Sequence, residues 1–352
     1  MQALEPKPAP WPALVALVAL LLAGCASPPG SDTEAAEPRS YHEVAALISE
    51  IRAFERRIGF EETTNFRRFS RETQWFPFCG RAPRLYLPYS YEDPAIEWSE
   101  PATEEECRAG QESVDVMFGV SEAVAERDTP VTASMLAAPL ERLVYLVIHE
   151  DCHEQFTFPR GIEEALCSVI TYRAMMQLAE EKFAPMPREH NAIQRYARQG
   201  AQHARVTIVL YGQLATLYAR HERKELPSPA ALRARERIFR TAEAAFEWKN
   251  GSINHLYIAN AMTYSRHYPF LEDLSEALGR DLARTVSFFK AVDQNKPSAA
   301  EVLAQRGPGA SSGVDFIRAY EAAVITTIEK RLAQIGPHAW VPQSLVIRSI
   351  HM

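Results

Sequence analysis

Helical periodicity constrains the fold of this chain more than any other feature of its sequence. Beyond residue 103, apolar residues recur at three- and four-residue steps, as they do along one face of an α-helix. The periodicity predicts helices over residues 41–60, 103–125, 138–156, 161–182, 189–222, 229–249, 254–266, 281–292 and 315–335. Pro227 and Pro229 mark the sharpest break between two of these helices. The predicted fold class is therefore mainly α.

The segment between Trp75 and Trp98 has a different character. It is dense in aromatic residues and proline, as in the run WFPF that begins at Trp75. This composition is typical of short strands and turns. The class is therefore α+β, with a small strand- and turn-rich segment near residues 70–100 in a mainly α chain.

The N-terminus contains a short apolar run, residues 11–22, which leads into the sequence LAGC ending at Cys25. A bilayer-spanning helix needs about 20 apolar residues, and a shorter run followed by small residues and a cysteine is typical of a lipoprotein signal. We predict that residues 1–25 are this signal and that Cys25 carries the lipid. An ordinary cleaved signal or a membrane-lying anchor is the alternative.

Residues 26–40 are rich in Pro, Ser, Gly, Ala and acids, which predicts a flexible tether. Ala26 follows Cys25 where an inner-membrane retention signal would usually place Asp. We therefore expect a bacterial envelope protein that is lipid-anchored to the outer membrane and faces the periplasm.

Residues 41–352 contain abundant apolar residues and no internal repeat or second linker, which favours one domain. The formal net charge of -7 argues against a dedicated nucleic-acid binder, which would normally carry a basic patch. We therefore expect no nucleic-acid partner, and contact with the membrane only through the N-terminal lipid.

Four cysteines remain after Cys25, and in an oxidising periplasm they could form disulfides with three possible pairings. Their division along the chain suggests one bond between Cys79 and Cys107 and another between Cys152 and Cys167. Buried free thiols are the alternative.

A metal-binding pattern, H-E-x-x-H, ends an apolar helical segment at His149, Glu150 and His153. Two histidines four residues apart lie on one helix face, so both imidazoles can reach one zinc ion that keeps a position open for water. Glu150 sits beside the first ligand and can act as general base and then as general acid. Two core histidines with satisfied hydrogen bonds are the simpler interpretation.

The third ligand is expected on the next helix, because residues 156–161 form a short reversal that can make the two helices antiparallel neighbours. Glu164 shares its face with the small residues Gly161, Cys167 and Ser168, which would permit close approach of the metal-bearing helix. Glu163 projects about 100° away. We favour Glu164 as the ligand and interpret Glu163 as a solvated acid at the helix start, with Glu163 as the alternative ligand.

These residues carry a resemblance to known enzymes. H-E-x-x-H followed by the sequence GIEEAL at Gly161 resembles the gluzincin metallopeptidases, in which a glutamate of the following helix is the third zinc ligand, and this implies that role for Glu164. The chain is also similar to the zinc aminopeptidase family of Gram-negative lipoproteins, in the stretches 214–218, 260–264, 268–270, 279–282 and 288–289. The resemblance implies a gluzincin-like metallopeptidase domain with one zinc ion, which hydrolyses a peptide bond in a peptide or protein substrate.

A donor to the tetrahedral oxyanion is a further requirement of this chemistry. The candidates are His255, Tyr257, Tyr264, His267 and Tyr268, and Tyr264 is preferred because it lies in the similar stretch. Core aromatic residues at helical spacing are the alternative interpretation.

Three histidines of the predicted helix 189–222, namely His190, His203 and His221, are expected at the surface.

The competing function is a non-catalytic envelope interaction protein with a structural or vestigial metal site. The sequence leaves open whether cleavage is exo or endo.

Overall fold

The computed structural model describes residues 38–71, 75–100, 103–110, 113–122, 128–246, 253–307 and 313–335. The predicted lipoprotein signal, with Cys25, and most of the predicted tether lie outside the described residues. Both remain predictions.

The helices and strands of the described chain follow one another in a simple order. They are α1 (Tyr41–Arg57), β1 (Phe69–Ser70), β2 (Trp75–Pro83), β3 (Glu97–Ser99), α2 (Glu104–Arg108), β4 (Val114–Glu122), β5 (Val131–Thr132), α3 (Ala133–Ala137), α4 (Leu140–His153), α5 (Arg160–Leu178), a π-helical turn (Ala179–Phe183), α6 (Pro187–Glu222), α7 (Ser228–Ala245), α8 (His255–Ser265), α9 (Tyr268–Ala277), α10 (Leu282–Asp293), α11 (Ala299–Gln305) and α12 (Val314–Ile335). The prediction of a mainly α fold with a small β part is confirmed.

The first helix begins with a capping box between Ser40 and Glu43, in which each side chain accepts a hydrogen bond from the other residue's backbone N–H. The apolar face of α1 packs into the core through residues 44, 48, 51 and 54, the face that the periodicity predicts. Just before the helix, Arg39 donates a hydrogen bond to the backbone oxygen of Ala138. Arg39 and Ser40, at the predicted end of the tether, therefore contact the folded part of the chain.

The larger sheet has the strand order β3-β2-β4, and both pairings are antiparallel. The expected helix over 103–125 is wrong, because α2 ends at Arg108 and β4 follows it. Asp115, Val116 and Met117 are all buried in β4, so this strand lacks the inward and outward alternation that identifies a half-buried strand. Its β-branched and aromatic residues instead suit a strand that is covered on both faces.

The cysteine predictions have mixed outcomes. A disulfide joins Cys79 in β2 to Cys107 in α2, as predicted. The second predicted bond is wrong: Cys152 and Cys167 are free and buried between α4 and α5. Burial raises the pKa of both thiols, which disfavours the thiolate that disulfide formation requires.

Helix α4 lies at the centre of the main core, with residues 143–153 all buried. Helix α5 packs against it, and the long helix α6 crosses both and also packs on α7 and α8. The break predicted at Pro227 is confirmed, since α6 ends at Glu222 and α7 begins at Ser228. In the ranges that the structure describes, no helix combines the length and the hydropathy needed to cross a bilayer.

Helix α12 closes one side of the fold with three apolar residues, Val324, Ile328 and Leu332, and one buried carboxylate, Glu321. Glu321 is 2% exposed, accepts a hydrogen bond from the Tyr89 hydroxyl at 2.6 Å, and pairs with His267 Nε2 at 2.9 Å. A Cβ atom on Gly161, in the first turn of α5, would collide with the Glu321 carboxylate. A glycine at this position therefore lets α12 dock against the start of α5.

Candidate metal centre

The two histidines of the motif lie in the last two turns of α4, and Glu164 lies in the second turn of α5. His149, His153 and Glu164 are 1%, 6% and 2% exposed, respectively. The two helices are joined by residues 154–159, so the chain reverses and the carboxylate of α5 faces the imidazoles of α4. These three residues form a group that could hold a metal ion.

The three candidate ligand atoms form a triangle with equal sides. His149 Nε2 lies 3.3 Å from His153 Nε2, and each of these nitrogens lies 3.3 Å from Glu164 Oε2. A tetrahedral ion with bonds of about 2.0 to 2.1 Å separates its ligand atoms by about 3.3 to 3.4 Å. The spacing therefore fits a four-coordinate ion whose fourth position is open.

The surroundings of these atoms also suit an ion. Glu164 Oε2 is buried, and no hydrogen bond of normal geometry reaches it from the residues that the structure describes. Burial alone would raise the pKa of Glu164, but the His153 and His149 imidazoles outweigh it and hold that pKa well below its usual range. The carboxylate is therefore ionised, as a metal ligand must be.

Glu163 has a different role from the one that its position suggested. Its interpretation as a solvated acid is wrong: the residue is 8% exposed, and its Oε1 lies 2.9 Å from His153 Nδ1. A carboxylate on the second ring nitrogen of a metal-binding histidine fixes the tautomer and the orientation of the ring. The two adjacent glutamates therefore contact different atoms. Glu164 Oε2 faces the Nε2 atoms of both histidines, and Glu163 Oε1 contacts His153 Nδ1.

Glu150 is 4% exposed and directly follows His149 in α4. The backbone oxygen of Glu150 accepts a hydrogen bond of 3.1 Å from Asn65 Nδ2. The next residue, Asp151, accepts a hydrogen bond of 2.6 Å from the Thr63 hydroxyl and lies 3.5 Å from Arg52 Nε. Residues of α1 and of the segment after it therefore anchor the helix turn that carries Glu150.

Of the five proposed oxyanion donors, Tyr264 is the one near the three candidate ligands. Its hydroxyl is buried and makes no hydrogen bond within the described parts of the chain. Burial and the nearby charges of Glu164 and Glu150 raise the pKa of Tyr264 well above its ordinary value. The hydroxyl therefore stays protonated and can donate.

The other four candidates are engaged elsewhere. His255 pairs with Asp115, the Tyr257 hydroxyl donates to the Phe118 oxygen, His267 pairs with Glu321, and Tyr268 packs against Tyr172. His190, His203 and His221, expected at the surface, are half-buried on α6.

Sequence reasoning missed Glu92, which lies in the connection between β2 and β3. Burial raises its pKa to about 7; Arg160 opposes this shift, and the charges of Glu321, Glu164 and Glu163 add to it. A further carboxylate therefore lies close to the candidate metal-binding group of His149, His153 and Glu164. Nothing in the sequence around Glu92 links it to a site more than fifty residues downstream.

Sequence reasoning also missed Tyr145 as a neighbour of the candidate site, although its spacing from His149 indicates that the two residues are close. It precedes His149 by four residues, so it lies one turn earlier on the same face of α4. Its ring stacks on the His149 ring with a centroid distance of 5.0 Å.

A comparison with protein families finds a match to the family described as "Putative aminopeptidase", over residues 62–302. The match covers more than half of the chain. The chain belongs to this family. The aminopeptidase match includes the motif of α4, both glutamates of α5 and Tyr264, and it begins after α1 and ends within α11. Comparisons with curated proteins and with solved structures find no match to this chain.

Proposed function

We propose that this protein is a zinc-dependent metallopeptidase of the aminopeptidase type, with its domain in residues 41–352. The observation that carries the proposal is the 3.3 Å triangle of His149 Nε2, His153 Nε2 and Glu164 Oε2. Two imidazoles and one carboxylate with a fourth position open are a ligand set of catalytic zinc. Membership of the aminopeptidase family supports a peptide or protein substrate.

The three ligands would hold the ion at the meeting point of α4 and α5. A bound zinc ion supplies Lewis acidity, which polarises a substrate carbonyl and makes a nearby water a stronger nucleophile at neutral pH. Glu163 holds the His153 ring through its 2.9 Å contact and so keeps that ligand in one orientation.

Glu150 is the proposed general base and general acid. Its carboxylate takes one proton from the attacking water as the bond from oxygen to the carbonyl carbon forms. It gives that proton to the amine nitrogen as the carbon–nitrogen bond breaks. Water is thereby divided between the new carboxyl group and the new amine, and Glu150 returns to its starting state.

Tyr264 is the proposed donor to the developing oxyanion. A protonated hydroxyl in a buried site can donate to the tetrahedral carbonyl oxygen, and such a donor gains strength where water is excluded. The raised pKa of Tyr264 keeps its hydroxyl in the donating form.

We further propose that the protein is attached to the outer membrane by a lipid on Cys25 and faces the periplasm. The short apolar run before Cys25 supports this location. The disulfide between Cys79 and Cys107 supports it independently, since such bonds persist mainly in oxidising compartments. Mass spectrometry of the N-terminus from bacterial membranes tests it, and an unlipidated chain that begins at another residue would contradict it.

The test of the enzyme proposal measures bound zinc and peptide hydrolysis in parallel. The wild-type protein should bind one zinc ion and cleave peptides, and Glu150→Gln should keep the zinc but lose cleavage. Glu222→Gln, the same chemical change at an exposed position of α6, is the matched control and should behave as wild type. Peptides whose N-terminal amine is acetylated should resist cleavage if the enzyme is an aminopeptidase.

Two results would contradict the proposal. Zinc retained without cleavage by any of the three proteins would favour the second candidate function, a non-catalytic envelope interaction protein with a structural or vestigial metal site. A protein that binds no zinc would remove the metal site itself.

A further inference from the structure

An aromatic cavity of about 130 Å³ lies between α4, α5, α6 and α8. Its walls carry six aromatic residues, which are Tyr145, Tyr172, Tyr196, Phe246, Tyr257 and Tyr264. An apolar cavity of about 150 Å³ is large enough to take up benzene. The aromatic cavity can therefore hold one apolar side chain of moderate size.

The aromatic cavity begins where the metal-binding group ends. Tyr145 precedes His149 by one turn of α4, and Ser168 follows Glu164 by one turn of α5, so both helices continue from the ligands to the cavity wall. One helical turn is about 5.4 Å. The ring of Tyr145 stacks on His149 at 5.0 Å and also lines the cavity, so a single side chain forms the boundary.

The distance of about one helical turn between the candidate ligands and the cavity wall matches the geometry of a peptide. Consecutive Cα atoms are about 3.8 Å apart, and the side chain branches directly beside its own carbonyl carbon. A substrate whose scissile carbonyl lies at the metal-binding group would therefore bring the side chain of that same residue to the mouth of the aromatic cavity. Tyr264, which lines the cavity, is also the proposed oxyanion donor.

The lining selects by polarity. No Asp, Glu, Lys or Arg is among the described residues that line the aromatic cavity. The polar groups there are uncharged hydroxyls, one amide and the half-buried His203, whose ring packs edge-on against Phe246 at 5.0 Å. A charged side chain would lose its hydration without gaining an opposite charge, and an apolar side chain would lose only its contact with water.

Gly200 sets the depth of the aromatic cavity. It lies on α6, and a Cβ atom at this position would overlap the ring of Tyr172. The glycine therefore allows Tyr172 to rest against α6. A larger residue would push the ring into the cavity.

We propose that the aromatic cavity binds the apolar side chain of the substrate residue that supplies the scissile carbonyl, which is the N-terminal residue for an aminopeptidase. The ligand class is a peptide that begins with a residue such as leucine, methionine or phenylalanine. This inference rests on the proposed function, because it needs a substrate carbonyl at the three ligands.

The test measures binding, so that it does not depend on turnover. Zinc-loaded protein is titrated by calorimetry with the hydroxamates of leucine, glycine and glutamate. These compounds share the hydroxamate that chelates zinc and differ in the side chain. Leucine hydroxamate should bind at least tenfold more tightly than the other two. Gly200→Ala should reduce leucine hydroxamate binding about tenfold and should change glycine hydroxamate binding less than twofold.

Gly212→Ala is the matched control, since Gly212 also lies on α6 and a Cβ atom there meets nothing within 4 Å. It should leave all three affinities unchanged. If Gly200→Ala fails to fold by circular dichroism, Ala261→Val, which adds two methyl groups at the wall formed by α8, takes its place.

The outcomes separate the two proposals. Equal affinity for all three hydroxamates would overturn the aromatic cavity as a binding site and leave the metal site intact. Loss of glycine hydroxamate binding as well as leucine hydroxamate binding in Gly200→Ala would also overturn it, since the damage would then lie at the ligands. Absence of any hydroxamate binding to wild-type protein would overturn the metal site, and the inference with it.

Discussion

Replacement of Glu163 by alanine tests the view that this residue orients a metal ligand. The contact between Glu163 Oε1 and His153 Nδ1 is 2.9 Å long, and both residues are buried. A hydrogen bond to a charged group contributes about 1.5 to 3 kcal/mol. Carboxylate partners of metal-binding histidines are worth about 10- to 100-fold in metal affinity. We therefore expect Glu163→Ala to weaken zinc binding by about 10- to 100-fold.

The assay is a zinc titration against a competing chelator, followed by circular dichroism to verify the fold. Glu163→Gln keeps an acceptor oxygen and should lose less affinity than Glu163→Ala. Glu222→Ala makes the same truncation on the exposed side of α6 and should leave the affinity unchanged. A folded Glu163→Ala protein with wild-type zinc affinity would refute the reasoning.

Three further predictions concern pH, the disulfide and the oxyanion donor. Burial raises the pKa of Asp115, but His255 and Arg235 together outweigh it and hold that pKa below its usual range. Asp115 therefore stabilises the fold above its unfolded pKa of about 3.9 and ceases to do so as the pH falls through its folded value. In urea unfolding, the stability difference between wild type and Asp115→Asn should shrink from about pH 5 to about pH 3; a constant difference would contradict this sign. Removal of the bond between Cys79 and Cys107, which are separated by 28 positions, should lower the free energy of unfolding by about 3 to 4 kcal/mol in the same assay, and an unchanged urea midpoint would count against it. Tyr264→Phe should lower kcat by about 10²- to 10³-fold with little change in KM and with zinc retained, whereas an unchanged kcat would remove the donor role.

Periodicity was sufficient to predict the direction of side chains on the helices that carry the metal-binding group. A rotation of about 100° separates adjacent residues, so Glu164 and Glu163 had to face different surroundings, and Glu164 is the one that meets the two histidines. Which residues cover the face of α5 that carries Glu163 depends on tertiary packing. The exposure of Glu163 was therefore predicted wrongly, because its burial and its contact with His153 depend on how α4 and α5 pack together.

The helices that were missed have local causes. Helix α9 begins at Tyr268 with Pro269 in its first turn, where a missing backbone N–H does no harm, although a proline is otherwise a helix breaker. Helix α11 is short, and its start is marked only by the capping box between Ser298 and Glu301. A signal at one end of a short helix is too weak to be recognised without the neighbours that bury it.

The strand β4 was missed for a different reason. One face of β4 packs on α2, where Val116 meets Cys107, and the other packs on α8, where Met117 meets Leu256. Helix α8 and the paired strand β2 are both distant from β4 in sequence. Hydrophobic pattern alone could not distinguish this strand from a helix.

The docking of α12 through Glu321 has a consequence for the order in which the parts of the protein fold. The Tyr89 hydroxyl and Glu321 are 232 positions apart, so the contact that covers the start of α5 joins an early part of the chain to a late one. Long loops of this kind close late in folding, after local helices have formed. During synthesis, the side of the fold next to Glu164 therefore stays open until α12 has emerged. If His149, His153 and Glu164 hold a metal ion, that interval would give the ion a wide path to them, and the docking of α12 would then narrow the path.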